Sequence, residues 1–255
     1  MRLDGKVALV TGAGSGIGYA IAERFAAEGA CVCVNYLGYA DEAKQLAEKL
    51  SGQGHNSIAV EADVTQRDQV QSMVDRTLKE LGGLDILVNN AGIEKGVPFF
   101  ELDDETWDKI IAVDLRGVFI GTQIAGRAMR DSGKGGSIVN ISSIHEDYTF
   151  PGYTAYCSAK GGVRMFMRNA SLELAKHKIR INNIAPGAIA TPINQKTMQD
   201  PEKMEALRNV VPLGEMGQPD QVAAVAVFLA SDEASYVTGS TYYVDGGLVR
   251  HALAV

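Results

Sequence analysis

Short apolar runs alternate with longer amphipathic segments from one end of the chain to the other. The runs have no regular polar positions, which is typical of parallel strands covered on both faces. Seven strands are predicted, at residues 7–10, 31–34, 57–60, 86–88, 137–141, 179–184 and 241–244.

Between these strands, apolar residues recur every three or four positions, the spacing of an amphipathic helix. Helices are predicted at residues 17–28, 41–50, 68–81, 105–129, 156–176 and 218–230. Each crossover between parallel strands needs a covering helix, so the alternation predicts an α/β fold. We expect one doubly wound parallel sheet of about seven strands with helices on both faces. Sheets of this kind reach 255 residues as one unit, which predicts a single domain over 1–255.

One segment interrupts the alternation. Residues 191–211 are polar, rich in Met and Gln, and bracketed by Pro192 and Pro212. This stretch predicts either a mobile flap at the substrate site or a surface excursion with a short helix.

Composition narrows the functional classes. The chain is 46% hydrophobic and 22% charged, as a globular protein with a substantial core would be. Its formal net charge of -7 argues against nucleic acid or an anionic membrane as the main partner. No apolar run could cross a bilayer, and residues 1–6 lead into the first strand without a signal peptide's apolar stretch. We therefore expect a cytoplasmic location.

The three cysteines and four histidines predict neither a disulfide scaffold nor a metal site, because they are few and lack ligand spacing. Cys31 and Cys33 alternate within a predicted strand and are expected in the core. Cys157 is expected to pack as a small apolar residue as well.

A glycine-rich loop joins the first strand to the first helix. The loop is Thr11-Gly12-Ala13-Gly14-Ser15-Gly16-Ile17-Gly18. Glycines let the backbone approach a pyrophosphate closely, and a helix N-terminus offers free N–H groups and a positive dipole end. This placement predicts a Rossmann-type dinucleotide site, although a tight strand-to-helix turn is the alternative. The residues expected at the phosphates are Gly12, Ser15, Gly16, Ile17 and Gly18.

The end of the second strand bears on which dinucleotide binds. An acidic side chain there would accept from a ribose 2′-hydroxyl, and a basic one would hold a 2′-phosphate. The segment Asn35-Tyr36-Leu37-Gly38 has neither. The lack of a cation favours NAD, with NADP left open, and places Tyr36 beside the cofactor.

Tyr156, Lys160 and Ser143 form a candidate acid/base set for hydride transfer. A free phenol, with a pKa of about 10, is too weak an acid unless a nearby cation stabilises the phenolate. Lys160 lies four residues after Tyr156 on a predicted helix, so the two share a face and the ammonium could also reach the cofactor ribose. Ser143 ends the preceding strand, where its hydroxyl could hold the substrate oxygen.

Together these motifs resemble the short-chain dehydrogenase/reductase family over essentially the whole chain. The resemblance rests on Thr-Gly-x-x-x-Gly-x-Gly, on Asn89-Asn90-Ala91-Gly92 after the fourth strand, and on a serine thirteen residues before Tyr-x-x-x-Lys. It implies an NAD(P)-dependent oxidoreductase. It also implies adenine contacts from Asp63 and Val64, and nicotinamide contacts near the sixth strand. The further cofactor positions it implies are Asn90, Ala91, Gly92, Tyr156, Lys160, Pro186, Gly187, Ile189 and Thr191.

Position 114 departs from the family pattern. The family usually has an asparagine in the long helix after Asn-Asn-Ala-Gly, where it helps a water relay protons to the lysine; here the residue is Asp114. Its backbone carbonyl could still serve. The carboxylate could pair with Lys160, stay protonated, or be an ordinary polar helix residue.

Within the family, the closest resemblance is to glucose 1-dehydrogenases, on segments 142–146, 187–194 and 234–239. A sugar needs several polar partners, and Glu94, His145, Glu146 and Asn194 are the candidates. The loop at 147–153 is more aromatic than polar, which would also suit a ring ketone or a secondary alcohol.

We therefore expect a dehydrogenase acting on a sugar or secondary alcohol. Two alternatives are a 3-oxoacyl thioester reductase and a non-catalytic dinucleotide sensor. Family resemblance also implies a homotetramer, with helices 103–129 and 156–176 packing across subunits, although their apolar faces also fit burial on their own sheet.

Overall fold

The computed structural model describes residues 1–250 and confirms the strand and helix alternation. The strands are β1 Val7–Val10, β2 Cys31–Tyr36, β3 Ser57–Glu61, β4 Ile86–Asn89, β5 Gly136–Ile141, β6 Ile179–Pro186 and β7 Thr241–Val244. The helices are α1 Gly16–Ala27, α2 Ala40–Gly52, α3 Arg67–Leu81, α4 Asp104–Ile111, α5 Gly117–Ser132, α6 Thr154–Leu174, α7 Gln195–Met198, α8 Pro201–Val210 and α9 Pro219–Ala230.

All seven strands form one parallel sheet in the order β3-β2-β1-β4-β5-β6-β7. The chain steps outward from β1 to β3 and then returns to place β4 on the other side of β1. This reversal is the point where open sheets bind ligands, beyond the carboxyl ends of the strands. The predicted Rossmann-type fold class is confirmed.

Helices cover both faces of the sheet and enclose two apolar cores. Buried residues of α1, α2 and α9 pack on one face, and those of α3, α5 and α6 pack on the other. Strands β1 and β4 are buried along their whole length, as their unbroken apolar runs predict. None of the helices between residues 1 and 250 is both long enough and apolar enough to span a bilayer.

The long helix predicted at 105–129 is present as a continuous helical run with one π-helical turn inside it. A π-helical segment, Ala112–Arg116, separates α4 from α5 and contains Asp114. The apolar periodicity on either side is helical, so the sequence pattern does not reveal the wider turn. Such bulges occur often at functional sites, because they release a backbone carbonyl and turn a side chain inward.

The polar segment 191–211 folds as a surface excursion with short helices. It contains a 3₁₀ turn at Pro192–Asn194, then α7 and α8, none of which has a buried residue. Asp200 caps α8 by accepting from the backbone N–H groups of Glu202 and Lys203. The structure thus supports the surface-helix interpretation, and closure of the segment over a substrate stays a prediction.

Candidate active site

The predicted glycine-rich loop lies against the start of the segment after β4. Gly12 has φ +62°, and a Cβ added there would lie 2.9 Å from the Ala91 Cα. A Cβ at Gly18 would lie 2.6 Å from the Gly12 carbonyl oxygen. The side-chain amide of Asn90 donates to the Thr11 and Gly12 carbonyls, at 2.9 and 3.0 Å. The loop therefore requires glycine at both positions, and Asn90 holds it in place.

The start of α1 fits the pyrophosphate of a dinucleotide. Ser15 precedes the helix in an extended conformation, and its side chain does not cap the helix. The first backbone N–H groups, at Gly16 and Ile17, thus lack a side-chain acceptor and point toward the sheet edge, where an anion is favoured. Thr191 approaches from the other side, since a Cβ at Gly16 would lie 3.5 Å from the Thr191 Cβ.

The end of β2 has no charged side chain. Tyr36 is buried in a core, so its ring is enclosed there, and a contact between this residue and the cofactor stays a prediction. Leu37 and Tyr39 are 61% and 56% exposed. Asn35 accepts from the Gly12 N–H at 3.1 Å, which ties β2 to the glycine-rich loop.

The predicted adenine side lies after β3. The Asp63 carboxylate accepts from the backbone N–H and the hydroxyl of Thr65, both at 2.8 Å. Val64 packs on Gly117, where a Cβ would lie 3.0 Å from the Val64 Cγ2. Asp63 therefore stabilises the turn that contains it, and Val64 packs this turn against α5.

The predicted nicotinamide side follows β6. The Gly187 N–H donates to the Val244 carbonyl at 3.0 Å, and a Cβ at Gly187 would lie 2.8 Å from the Asp245 Cβ. Ile189 is 3% exposed and belongs to a core, so its backbone alone faces the cleft. Pro186 ends β6 and directs this segment to the carboxyl edge of the sheet.

Ser143, Tyr156 and Lys160 meet at the same edge, beyond β5. Ser143 is buried, accepts from the His145 N–H at 3.2 Å and faces the Tyr156 phenol. The Lys160 Nζ lies 5.4 Å from the centre of the Tyr156 ring and donates to the Ile141 carbonyl at 3.3 Å. The structure brings together the three residues that the sequence pattern singles out.

The charges around the phenol include the expected cation and a carboxylate. Burial raises the pKa of Tyr156; Lys160 and Ser143 act to lower this pKa, as expected, and Asp114 acts to raise it. Burial alone would lower the pKa of Lys160, but attraction to Asp114 and Tyr156 leaves it raised. The phenol therefore has the Lys160 ammonium beside it, in a buried site that also contains a carboxylate.

Asp114 and Gly92 lie beside Lys160. The Asp114 side chain is fully buried, and its Oδ2 is 3.2 Å from the Lys160 Nζ. Its Oδ1 accepts from the Ile93 N–H at 2.9 Å. A Cβ at Gly92 would lie 3.1 Å from the Asp114 Oδ2, so glycine is what lets this segment approach the pair. Of the alternatives for position 114, the structure shows contact with Lys160.

An aromatic stack forms one wall next to Tyr156. The His145 and Phe150 rings are stacked with centroids 4.9 Å apart, and Phe150 and Tyr153 are stacked at 4.3 Å. His145 also meets the Tyr156 ring edge-on at 6.2 Å. Glu94 faces the same region. Burial raises the pKa of its carboxyl, and the negative charge of Asp114 raises this pKa further.

The structure contradicts the prediction that Glu146 contacts substrate. Its side chain is fully buried. Its oxygens accept from Asn183 Nδ2 at 3.0 Å and from the Thr241 hydroxyl at 2.7 Å. A carboxylate enclosed in this way holds the turn after Ser143 rather than a ligand. The Asn194 side-chain amide donates to the Ile189 carbonyl at 2.8 Å, which braces its own loop.

A row of polar side chains that the sequence pattern did not predict crosses the sheet. Asn89 pairs with Asn140, Asn140 with Asn183, and Asn183 with Thr241 in strand register. Asn89 donates to Asn140 at 2.9 Å, and Asn140 donates to Asn183 at 3.0 Å. Glu146 completes the row between Asn183 and Thr241. The signal that could have found the row is an asparagine in each of three predominantly apolar strands, β4, β5 and β6.

Known proteins resemble the chain along almost its whole length. A family model described as enoyl-(acyl carrier protein) reductase matches residues 12–249. A 3β-hydroxysteroid dehydrogenase from Eggerthella lenta is 43% identical over 98% of this chain and 95% of its own length. Glucose 1-dehydrogenase 2 from Bacillus subtilis is 40% identical, with coverage of 98% and 96%. A 3-oxoacyl-[acyl-carrier-protein] reductase from Thermotoga maritima is 43% identical, with coverage of 98% and 100%.

Solved structures extend the resemblance to proteins with bound cofactors. A gluconate 5-dehydrogenase from Burkholderia cenocepacia, in complex with NADP and tartrate, has a TM-score of 0.93 at 35% identity and covers 98% of both chains. A 7α-hydroxysteroid dehydrogenase in complex with NADH and 7-oxo glycochenodeoxycholic acid has a TM-score of 0.92 at 34% identity, covering 96% of this chain and 95% of its own. The chain therefore belongs to the short-chain dehydrogenase/reductase family and is an oxidoreductase that uses a nicotinamide dinucleotide.

Proposed function

We propose that the protein interconverts a secondary alcohol and its ketone, with Tyr156 as the acid/base. The observation that carries the proposal is the meeting of Ser143, Tyr156 and Lys160 at the carboxyl edge of the sheet, beside the glycine-rich loop. The same intact set argues against a non-catalytic sensor, which would need the loop but no acid/base.

In alcohol oxidation, the Tyr156 phenolate takes the hydroxyl proton while the Ser143 hydroxyl donates to the substrate oxygen and holds it in place. In reduction, the phenol returns a proton to the developing alkoxide. A bound nicotinamide would supply the hydride acceptor for the carbinol carbon, or the hydride donor for the carbonyl carbon. The Lys160 ammonium stabilises the phenolate and would be the residue that holds the cofactor ribose.

The residues available to the cofactor line the reversal point of the sheet. The N–H groups of Gly16 and Ile17 would hold the pyrophosphate, with Gly12, Ser15 and Gly18 shaping the loop. The turn at Asp63 and Val64 would bound the adenine. The remaining positions on the cleft are Asn90, Ala91, Gly92, Pro186, Gly187, Ile189 and Thr191.

Replacement of Tyr156 by Phe tests the acid/base role. We expect kcat/KM to fall by about 10²–10⁴-fold, the usual contribution of a positioned proton donor. Cofactor affinity, measured by fluorescence titration, should be retained. A variant with near-normal turnover would overturn the assignment.

The aromatic wall favours an alicyclic ring substrate. His145, Phe150 and Tyr153 form a stack beside Tyr156, in which Phe150 is covered on both faces, and the 45% of its surface that is exposed is the edge of its ring. Burial of this apolar edge against the carbon atoms of an alicyclic ring would be favourable. The similarity to a 3β-hydroxysteroid dehydrogenase supports this class.

Two other substrate classes deserve assay. Glu94 and the similarity to a glucose 1-dehydrogenase favour a sugar, and the similarity to a 3-oxoacyl carrier-protein reductase favours a thioester ketone. Turnover should be compared for cyclic secondary alcohols, hydroxysteroids, glucose and acetoacetyl thioesters. Preference for glucose or the thioester over every ring alcohol would refute the first choice.

For the cofactor, we propose NAD over NADP, because the segment after β2 offers no cation to a 2′-phosphate. Leu37→Arg supplies that cation at an exposed position, and Leu37→Gln is its neutral control. We expect the arginine variant alone to gain affinity for NADP. Tighter binding of NADP than NAD by the unaltered protein would contradict the proposal.

We further propose a homotetramer and a cytoplasmic location. Phe119 on α5 and Met165 and Leu172 on α6 expose 39%, 62% and 78% of their surface, which suits an interface between copies. Analytical ultracentrifugation would measure the assembly, and a monomer at micromolar concentration would exclude it.

A further inference from the structure

A buried carboxylate faces the Lys160 ammonium from a different helical element. Asp114 lies in the π-helical segment between α4 and α5, and its side chain has no exposed surface. Its Oδ2 is 3.2 Å from the Lys160 Nζ, itself on a side chain only 5% exposed. Among the described residues, no donor makes a well-directed hydrogen bond to Oδ2, and the ammonium lies 3.2 Å from it.

The geometry favours the ionised pair over a protonated Asp114. Burial raises the pKa of the Asp114 carboxyl, with Lys160 and the Ile93 N–H acting in the opposite direction. However, Oδ1 accepts from the Ile93 N–H at 2.9 Å, so a carboxyl proton would have to lie on Oδ2. It would then face the ammonium, placing two donors against each other. An ionised Asp114 avoids this clash.

The pair has little net charge, and this alters the field at the phenol. Lys160 stands 5.4 Å from the Tyr156 ring centre with its charge offset by Asp114. The other ionisable group facing the phenol is Glu94, which also disfavours the phenolate. The negative charge of Glu146 also raises the pKa of Lys160, and His145 meets the Tyr156 ring edge-on. The ammonium is therefore subject to the charge of more than one carboxylate.

We propose that Asp114 is a positioning residue that fixes the Lys160 ammonium and offsets its charge, so that alcohol oxidation needs a more alkaline medium than it would with a neutral amide at position 114. The inference rests on the proposed function, because it assumes that Tyr156 exchanges the proton. It applies to this chain because a carboxylate, rather than an amide, occupies the site.

The pH profile of Asp114→Asn tests the proposal. The amide keeps the shape of the side chain and can still accept from Ile93, but it removes the negative charge. We expect the acid limb of kcat/KM for alcohol oxidation to move toward lower pH by on the order of one unit, the scale of a single close charge. Glu48→Gln removes one charge from the exposed face of α2 and should leave the limb in place.

An acid limb that does not move, or that moves toward higher pH, would also have a physical cause. Without Asp114, burial would favour a neutral Lys160, and the limb would then stay in place or move toward higher pH. Either result overturns the proposal. If Tyr156→Phe retains turnover, the proposed function itself fails, whereas an inactive Tyr156→Phe with an unmoved limb in Asp114→Asn refutes this inference alone.

Titration of the phenol without cofactor or substrate gives a second readout. Carbon-labelled tyrosine allows the Tyr156 signal to be assigned by its loss in Tyr156→Phe. The proposal requires that this phenol ionises at lower pH in Asp114→Asn than in the unaltered protein. This measurement decides the question even if the variant turns over too slowly for a rate profile, and an equal or higher ionisation pH refutes the proposal.

Discussion

Replacement of Asn140 by Ala should destabilise the protein far more than its small volume suggests. Asn140 is fully buried in β5, at the centre of the polar row across the sheet. It accepts from Asn89 at 2.9 Å and donates to Asn183 at 3.0 Å. Alanine removes both bonds and leaves polar atoms on both neighbours without these partners. At about 1–3 kcal/mol for each of these two buried groups, the free energy of unfolding should fall by about 2–6 kcal/mol.

Urea unfolding followed by circular dichroism measures this loss, at a fixed protein concentration because assembly contributes to apparent stability. Asn56→Ala is the control. Asn56 is an exposed residue just before β3, and its side-chain amide donates to the Glu80 carbonyl at 3.4 Å. Its loss should cost about 0.5 kcal/mol or less. If Asn140→Ala costs no more than this control, the row does not stabilise the sheet as we have reasoned.

Three further predictions follow from local geometry. Gly18→Ala should weaken dinucleotide binding more than folding, because a Cβ would lie 2.6 Å from the Gly12 carbonyl oxygen; calorimetry and thermal unfolding would separate the effects. Phe150→Ala should raise KM for a ring substrate with little change in kcat, and an unchanged KM would argue against the aromatic wall. Glu28→Gln should lower stability at neutral pH by about 1 kcal/mol or less, since the pair with Arg2 is partly exposed. Its hydrogen bond with Arg2 lowers the pKa of Glu28, so the difference should vanish as pH falls through that pKa, and a constant difference would contradict this.

Features set by a short stretch of chain could be predicted from the sequence. The apolar runs predicted all seven strands, because a strand that is buried on both faces consists mostly of apolar residues. Tyr156 and Lys160 are one helical turn apart, so their shared face followed from spacing alone. The glycine-rich loop was likewise local, and its close contacts with Ala91 explain why its glycines are needed.

Features that depend on contacts between distant elements could not be predicted from the sequence. Glu146 follows Ser143 closely and suggested a substrate contact, yet Asn183 and Thr241 on β6 and β7 enclose it. Tyr36 ends a strand beside the cofactor cleft, but its ring turns into the core. Each of the three strands contributes one asparagine to the polar row. The asparagines align only through the pairing register between strands, which the sequence of a single strand does not specify.

The pKa of the Tyr156 phenol also depends on distant elements of the chain. Spacing along α6 predicts a cation near Tyr156, and the cation is there. The field at the phenol, however, sums every buried charge nearby, including Asp114 from a segment that precedes α5 in the chain. Family resemblance transfers the position of a side chain well, because backbone geometry is shared. It transfers a pKa only when the surrounding charges are shared too, and Asp114, a carboxylate where the family usually has an amide, is a charge that is not shared.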